Sequence, residues 1–216
     1  MRENTLVWVV GGSIIIGIFF LLNSLVSTYE TFVYPEQATA ATSSVTVSAS
    51  ITAVISCSTN TGSTSFGTLI DSAVATSSPN ASTTMSCINS SLGCTLYAKD
   101  AGGGGNPGLW NSTSSALIKS PNASFSATST LAAGTEGYGI QATTTAAGSG
   151  ATLTIAARYL QTGDTVGGLA TSSITLASAS AASSNRETVV THKAAVASVT
   201  PAGSYADTIT YECTGN

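Results

Sequence analysis

Four cysteines, one histidine, four aspartates and four Asn-x-Ser/Thr triplets are the residues whose types and spacing bear on chemistry. The cysteines, Cys57, Cys87, Cys94 and Cys213, all follow an apolar N-terminal stretch. An even count placed this way points to structural disulfides formed in an oxidising compartment. Three pairings exist and spacing does not choose among them. Each would close loops worth about 3–5 kcal/mol against unfolding. Asn80-Ala81-Ser82, Asn89-Ser90-Ser91, Asn111-Ser112-Thr113 and Asn122-Ala123-Ser124 fit the glycan-acceptor pattern, so Asn80, Asn89, Asn111 and Asn122 are candidate acceptors in a glycosylating host.

No catalytic constellation accompanies them. The sequence has no Gly-x-Ser-x-Gly elbow, no His-Glu-x-x-His, no Cys-x-x-Cys and no phosphate-cradling loop; Gly102–Gly105 lacks the Lys and the following helix such a loop needs. His192 shares parity with Val190, Ala194 and Val196, which makes it an inward or edge histidine without a marked partner. Asp207 interrupts an apolar parity close to Pro201-Ala202-Gly203, where a carboxylate accepts turn N–H groups more readily than it binds a ligand. Asp71, Asp100 and Asp164 lie beside turns at spacings that match no calcium loop. No catalytic residue, cofactor or metal site is assigned, and the chain reads as non-enzymatic.

The elements that must position these residues are strands. Charged residues make up 7% of the 216 residues, against about 25% in ordinary domains. Ser, Thr, Ala and Gly take their place. With a net charge of −4 and no basic cluster, nucleic acid is not an expected partner. A surface so poor in charge suits a subunit that assembles or one covered by sugar.

Leu6 to Val26 is almost wholly apolar, long enough as a helix to span a bilayer, with Arg2 the cation before it. This stretch is expected to be a signal peptide or a membrane anchor. Ala38-Thr39-Ala40 offers a cleavage site; retention would place Tyr29, Phe32 and Tyr34 near the interface. The expected division is residues 1–40 as leader or anchor with a linker, and residues 41–216 as the exported domain.

From Val45 the period becomes two: Val45, Val47, Ala49, Ile51, Ala53, Ile55 and Cys57 alternate with Ser and Thr, Val54 excepted. Shorter strands are expected at Phe66–Ile70, Thr83–Ile88, Cys94–Lys99, Tyr138–Thr144, Thr152–Gln161, Ser172–Ala179, Thr188–Ser198 and Ser204–Cys213. Gly, Pro, Asn and Ser clusters punctuate them, as in an antiparallel sandwich or barrel. Leu109 to Ala133 is weakly patterned. In Ser204–Cys213 only Asp207 and Glu212 are charged, so as an edge this last strand would carry little to repel an incoming one.

Val45-Thr46-Val47-Ser48-Ala49, then Cys57, Phe66-Gly67 and Cys87, and finally Pro201-Ala202-Gly203-Ser204-Tyr205-Ala206-Asp207-Thr208-Ile209-Thr210 resemble the spore coat U and secreted-pilin family, relatives of chaperone–usher pilins. The likeness covers both ends of the exported region; Ala101 to Ser183 departs from the pattern. The resemblance implies an all-β, Ig-like antiparallel β-sandwich behind the N-terminal hydrophobic helix. It implies pairing of Cys57 with Cys87, leaving Cys94 for Cys213, and a non-enzymatic role in pili, biofilm or surface coats. It also implies strand donation between subunits. The expected function is a structural subunit of a cell-surface filament or coat that self-assembles by strand addition, with Tyr29–Ser44 or Val45–Ile51 as the donor. The alternative is a monomeric, membrane-anchored surface binding module of the same fold.

Overall fold

The computed structural model describes residues 42–121 and 127–216. Leu6–Val26, the cleavage site, the interfacial aromatics and Asn122 lie outside the described residues. The described part is all-β, with antiparallel sheets and no α-helix. Its compact body begins at Ser50.

Two sheets make the body. The larger runs in the order β1 (Val54–Thr59), β3 (Ala81–Ile88), β13 (Ser183–Ala195), β8 (Gly137–Thr144), β11 (Thr165–Gly167) and β7 (Thr128–Thr130). β2 (Ala75–Thr76) and β9 (Ser149–Gly150) extend it at the two ends of β13. The smaller runs β10 (Thr154–Ile155), β12 (Ile174–Ala179), β4 (Cys94–Asp100) and β14 (Ile209–Gly215). β5 (Gly108–Asn111) and β6 (Ala116–Lys119) form a separate hairpin.

The alternation of the sequence becomes the interior by pleating. Met85 of β3, Val190 of β13 and Ile140 of β8 point inward from the larger sheet, meeting Leu96 of β4 and Leu176 of β12 in one fully buried cluster. Side chains of this kind contribute about 1.5–3 kcal/mol each when buried. The result is a sandwich-like core. Thr83 and Thr188, opposite one another in β3 and β13, sit among these apolar residues with Oγ1 unpaired.

The first strand begins later than its alternation suggests. Val54 pairs with Ile88, the last residue of β3, and the chain then turns at Asn89 with φ +59°. Residues 42–53 therefore find no partner strand on β3 and belong to no strand, with Val45 86% and Val47 88% exposed. Phe66–Ile70 is likewise not a strand, because Gly67 adopts φ +66°, outside the β region. Of Thr152–Gln161 only β10 pairs; the chain then turns, Tyr159 N donating to the Ala156 carbonyl at 2.8 Å. The weakly patterned stretch holds β5, β6 and β7.

The cysteine pairing implied by the family resemblance is corrected: the disulfides are Cys57–Cys213 and Cys87–Cys94. The sheet registers supply the reason. Cys57 lies opposite Met85 while Cys87 lies opposite Ile55, so Cys57 and Cys87 are diagonal neighbours. Cys94 and Cys213 stand in the same relation, opposite Gly215 and Leu96. Diagonal neighbours are about 7–8 Å apart, beyond comfortable disulfide reach. Across the gap between sheets the Cα atoms come to 5.8 Å for Cys57–Cys213 and 6.1 Å for Cys87–Cys94. Both bonds therefore join one sheet to the other.

Candidate functional site

β14 is hydrogen-bonded to β4 along its whole length, from Ile209↔Asp100 to Gly215↔Cys94. Among the described residues no strand pairs with its other edge. Ile209 and Tyr211, in the first half of β14, line a groove of about 910 Å³ whose walls also include Phe66, Leu109, Tyr138, Val196 and Tyr205. Phe66 meets Tyr138 edge-on with ring centroids 6.3 Å apart.

The last strand was expected to begin at Ser204; pairing with β4 begins at Ile209 instead. Ala206 exchanges two backbone hydrogen bonds with Trp110 of β5, at 2.8 and 3.0 Å, and so diverts the approach to β14 onto the hairpin. Gly203 packs against the Asn111 side-chain amide so closely that a Cβ would collide with it. This detour sets Asp207 at the groove wall.

A chain of polar side chains lies in the groove wall at this point. His192 is buried in β13 and its ring stacks near that of Tyr138, with Nδ1 3.1 Å from the phenolic oxygen. Tyr138 has one proton and donates it to Asp207 Oδ2 at 3.0 Å. His192 Nδ1 must then carry the other proton and donate to Tyr138, which assigns the tautomer. Burial lowers the His192 pKa to about 4, so the ring is neutral near pH 7. Burial and the neighbouring Asp207 carboxylate raise Tyr138 well above the ordinary phenol.

Asp207 is also a charged neighbour of Asp100. Asp100, fully buried at the end of β4, also accepts the Gly102 N–H at 2.7 Å and the Gly108 N–H at 3.0 Å. It thereby closes the Gly-rich turn before β5. Burial first, then the adjacent Asp207 charge, raises Asp100 to about 7. Burial raises Asp207 also, against the Tyr138 hydrogen bond that lowers it. Of these four side chains, His192, Tyr138 and Asp207 line the groove, while Asp100 is fully buried.

Asp207 thus receives a phenol, while the turn-closing carboxylate is Asp100. The Gly-rich sequence after Asp100 was the available signal for that role. The nearness of Asp100 to Asp207 had none. Asp71 lies at the exposed rim of the same groove; Asp164 is engaged with Lys193 at 2.9 Å. Asn80 and Asn89 are exposed, whereas Asn111 is buried and its Oδ1 accepts the Thr113 and Ser114 N–H groups. Among the described residues no three His, Cys, Asp or Glu side chains converge as a metal site.

No family model, curated protein or solved structure matches the chain.

Proposed function

We propose that this protein is an exported, non-enzymatic structural subunit of a cell-surface filament or coat, an Ig-like sandwich akin to the spore coat U and secreted-pilin family. Copies assemble by strand addition. The observation that carries this reading is that β14, which lines the groove with Ile209 and Tyr211, pairs along one edge only among the described residues. Such an edge is a template for an added strand. A donor of suitable pattern is Val45–Ile51 of a second copy, whose Val45, Val47 and Ile51 are exposed and whose backbone joins no strand. Its apolar parity matches the groove-facing Ile209 and Tyr211 of β14, half-buried residues that alternate with exposed ones. The apolar N-terminal stretch engages the membrane at least during export, and the disulfides fit an oxidising destination.

Light scattering of the full chain over a concentration series tests the reading. Assembly is expected to rise with concentration, and Val47→Asp to abolish it while changing subunit stability by no more than about 0.5 kcal/mol. A full chain that stays monomeric at every concentration, or a Val47→Asp subunit that unfolds, overturns the proposal. Monomer at the membrane would favour the anchored binding module.

A further inference from the structure

The β3–β4 connection carries one Asn-x-Ser/Thr triplet at its tip, Asn89-Ser90-Ser91, bracketed by the Cys87–Cys94 disulfide. Ser90 is buried and its hydroxyl donates to the Gly93 carbonyl at 2.7 Å, while the Gly93 N–H returns to the Ser90 carbonyl at 3.3 Å. The turn is thus closed from within. Asn89, at φ +59°, and Ser91 are left exposed, and neither side chain has a hydrogen-bond partner among the described residues. The glycan-acceptor pattern uses both groups, the amide that takes the sugar and the hydroxyl two residues on, so a folded chain must present both to be modified.

The other two described triplets do not. Ser82, the hydroxyl that would serve Asn80, is buried and donates to Glu187 Oε1 at 2.6 Å. Asn111 is itself buried; its Oδ1 accepts two N–H groups, and its Nδ2 lies where a Cβ on Gly203 would strike it. A sugar there has no room. The surroundings of Asn89 are of another kind. Ile88 and Leu92, which flank it in sequence, are 45% and 67% exposed, and Val54, opposite Ile88 in β1, is 54% exposed. Neither β1 nor β3 nor the turn between β3 and β4 holds a charged residue. An uncharged apolar corner of this kind favours association, and a bulky, hydrated sugar at Asn89 would screen it.

We infer that Asn89 is the glycan acceptor of the folded chain, taking an oligosaccharide carried on a lipid diphosphate. In the transfer Asn89 Nδ2 bonds to the anomeric carbon of the sugar. The bond from that carbon to the diphosphate oxygen breaks, its electron pair leaves with the diphosphate, and one amide proton passes to a base of the transferase. No oxidant or reductant is needed. The site stands apart from the groove: Gly215, the end of β14 that pairs with Cys94, lies about 20 Å along the strand from Ile209. Modification at Asn89 therefore leaves the groove open and is independent of what occupies it.

Glycopeptide mass spectrometry of the protein isolated from its native host tests the assignment. The peptide holding Asn89 is expected to carry sugar, and those holding Asn80 and Asn111 to be bare. Ser91→Ala, which removes an exposed hydroxyl without a partner, is expected to lose the Asn89 glycan, to keep the native melting temperature within about 2 °C, and to bind more of an apolar dye. A bare Asn89 in the native protein, or sugar on Asn80 or Asn111, overturns the assignment. Sugar that persists on Asn89 in Ser91→Ala overturns the acceptor role of this triplet, and unchanged dye binding in a variant that has lost its sugar overturns the screening.

Discussion

Cys57 and Cys213 join β1 of the larger sheet to β14 of the smaller across a Cα separation of 5.8 Å, although 156 positions separate them in sequence. Cys87 and Cys94 are only 7 positions apart and close the β3–β4 connection. Chain-entropy arguments make the longer loop worth about 5 kcal/mol and the shorter about 2–3 kcal/mol. Removing both Cys57 and Cys213 as serines is therefore expected to lower the denaturant midpoint about twice as far as removing Cys87 and Cys94. Non-reducing peptide mapping checks the connectivity, and a Cys57–Cys87 peptide would contradict it.

Asp100 and His192 make opposed contributions to the pH dependence of folding. Asp100 has its pKa raised to about 7, so its stabilisation is complete below the ordinary value of 3.8 and is lost as pH climbs through about 7. His192 has its pKa lowered to about 4, so its contribution is present above 6.5 and is lost as pH falls through about 4. Between about pH 4 and 6.5 the slopes have opposite sign and reach at most about 1.4 kcal/mol per pH unit each. His192→Gln should melt lower as pH rises, and Asp100→Asn higher; thermal denaturation in a pH series measures both.

Thr83 offers a stabilising substitution. Its Oγ1 is buried without a partner on the inner face of β3. Thr83→Val replaces that hydroxyl with a methyl group of similar shape and should raise stability by about 1 kcal/mol, read by urea denaturation. A loss of stability would show that the hydroxyl is satisfied.

Gly93 is expected to resist substitution. It holds φ +79° at the end of the β3–β4 turn, and a Cβ there would run into the backbone carbonyl of Ala179. Gly93→Ala should destabilise by more than about 2 kcal/mol, combining left-handed strain with that collision. Stability within about 0.5 kcal/mol of the native chain would show that the turn adapts.

The strands that sequence made plain were those whose apolar parity is satisfied inside one chain: Leu96 and Ala98 on β4, Ile140 and Ala142 on β8, and Val190 and Ala194 on β13 all became core. Val45, Val47 and Ile51 show the same alternation and remain exposed. Periodicity specifies a face and says nothing about which chain covers it. Phe66–Ile70 failed for a local reason, the left-handed Gly67. The cysteine pairing and the nearness of Asp100 to Asp207 depend on register and on how two sheets face each other, long-range facts that no local pattern encodes. His192 was legible as an inward residue, but its Tyr138 partner comes from a neighbouring strand.

The Cys57–Cys213 bond also has a mechanical meaning. In a filament built as proposed, a subunit is pulled at one end through residues 45–51 and at the other through whatever strand lies along β14. Tension entering at Ile51 meets Cys57 after a short stretch of backbone and crosses there, through sulfur, directly to β14. The load path of each subunit is thus covalent from donor to acceptor strand and bypasses the hydrogen-bonded interior. Under such traction the core is spared, and the element left to yield first is the noncovalent seat of one subunit's strand in the next.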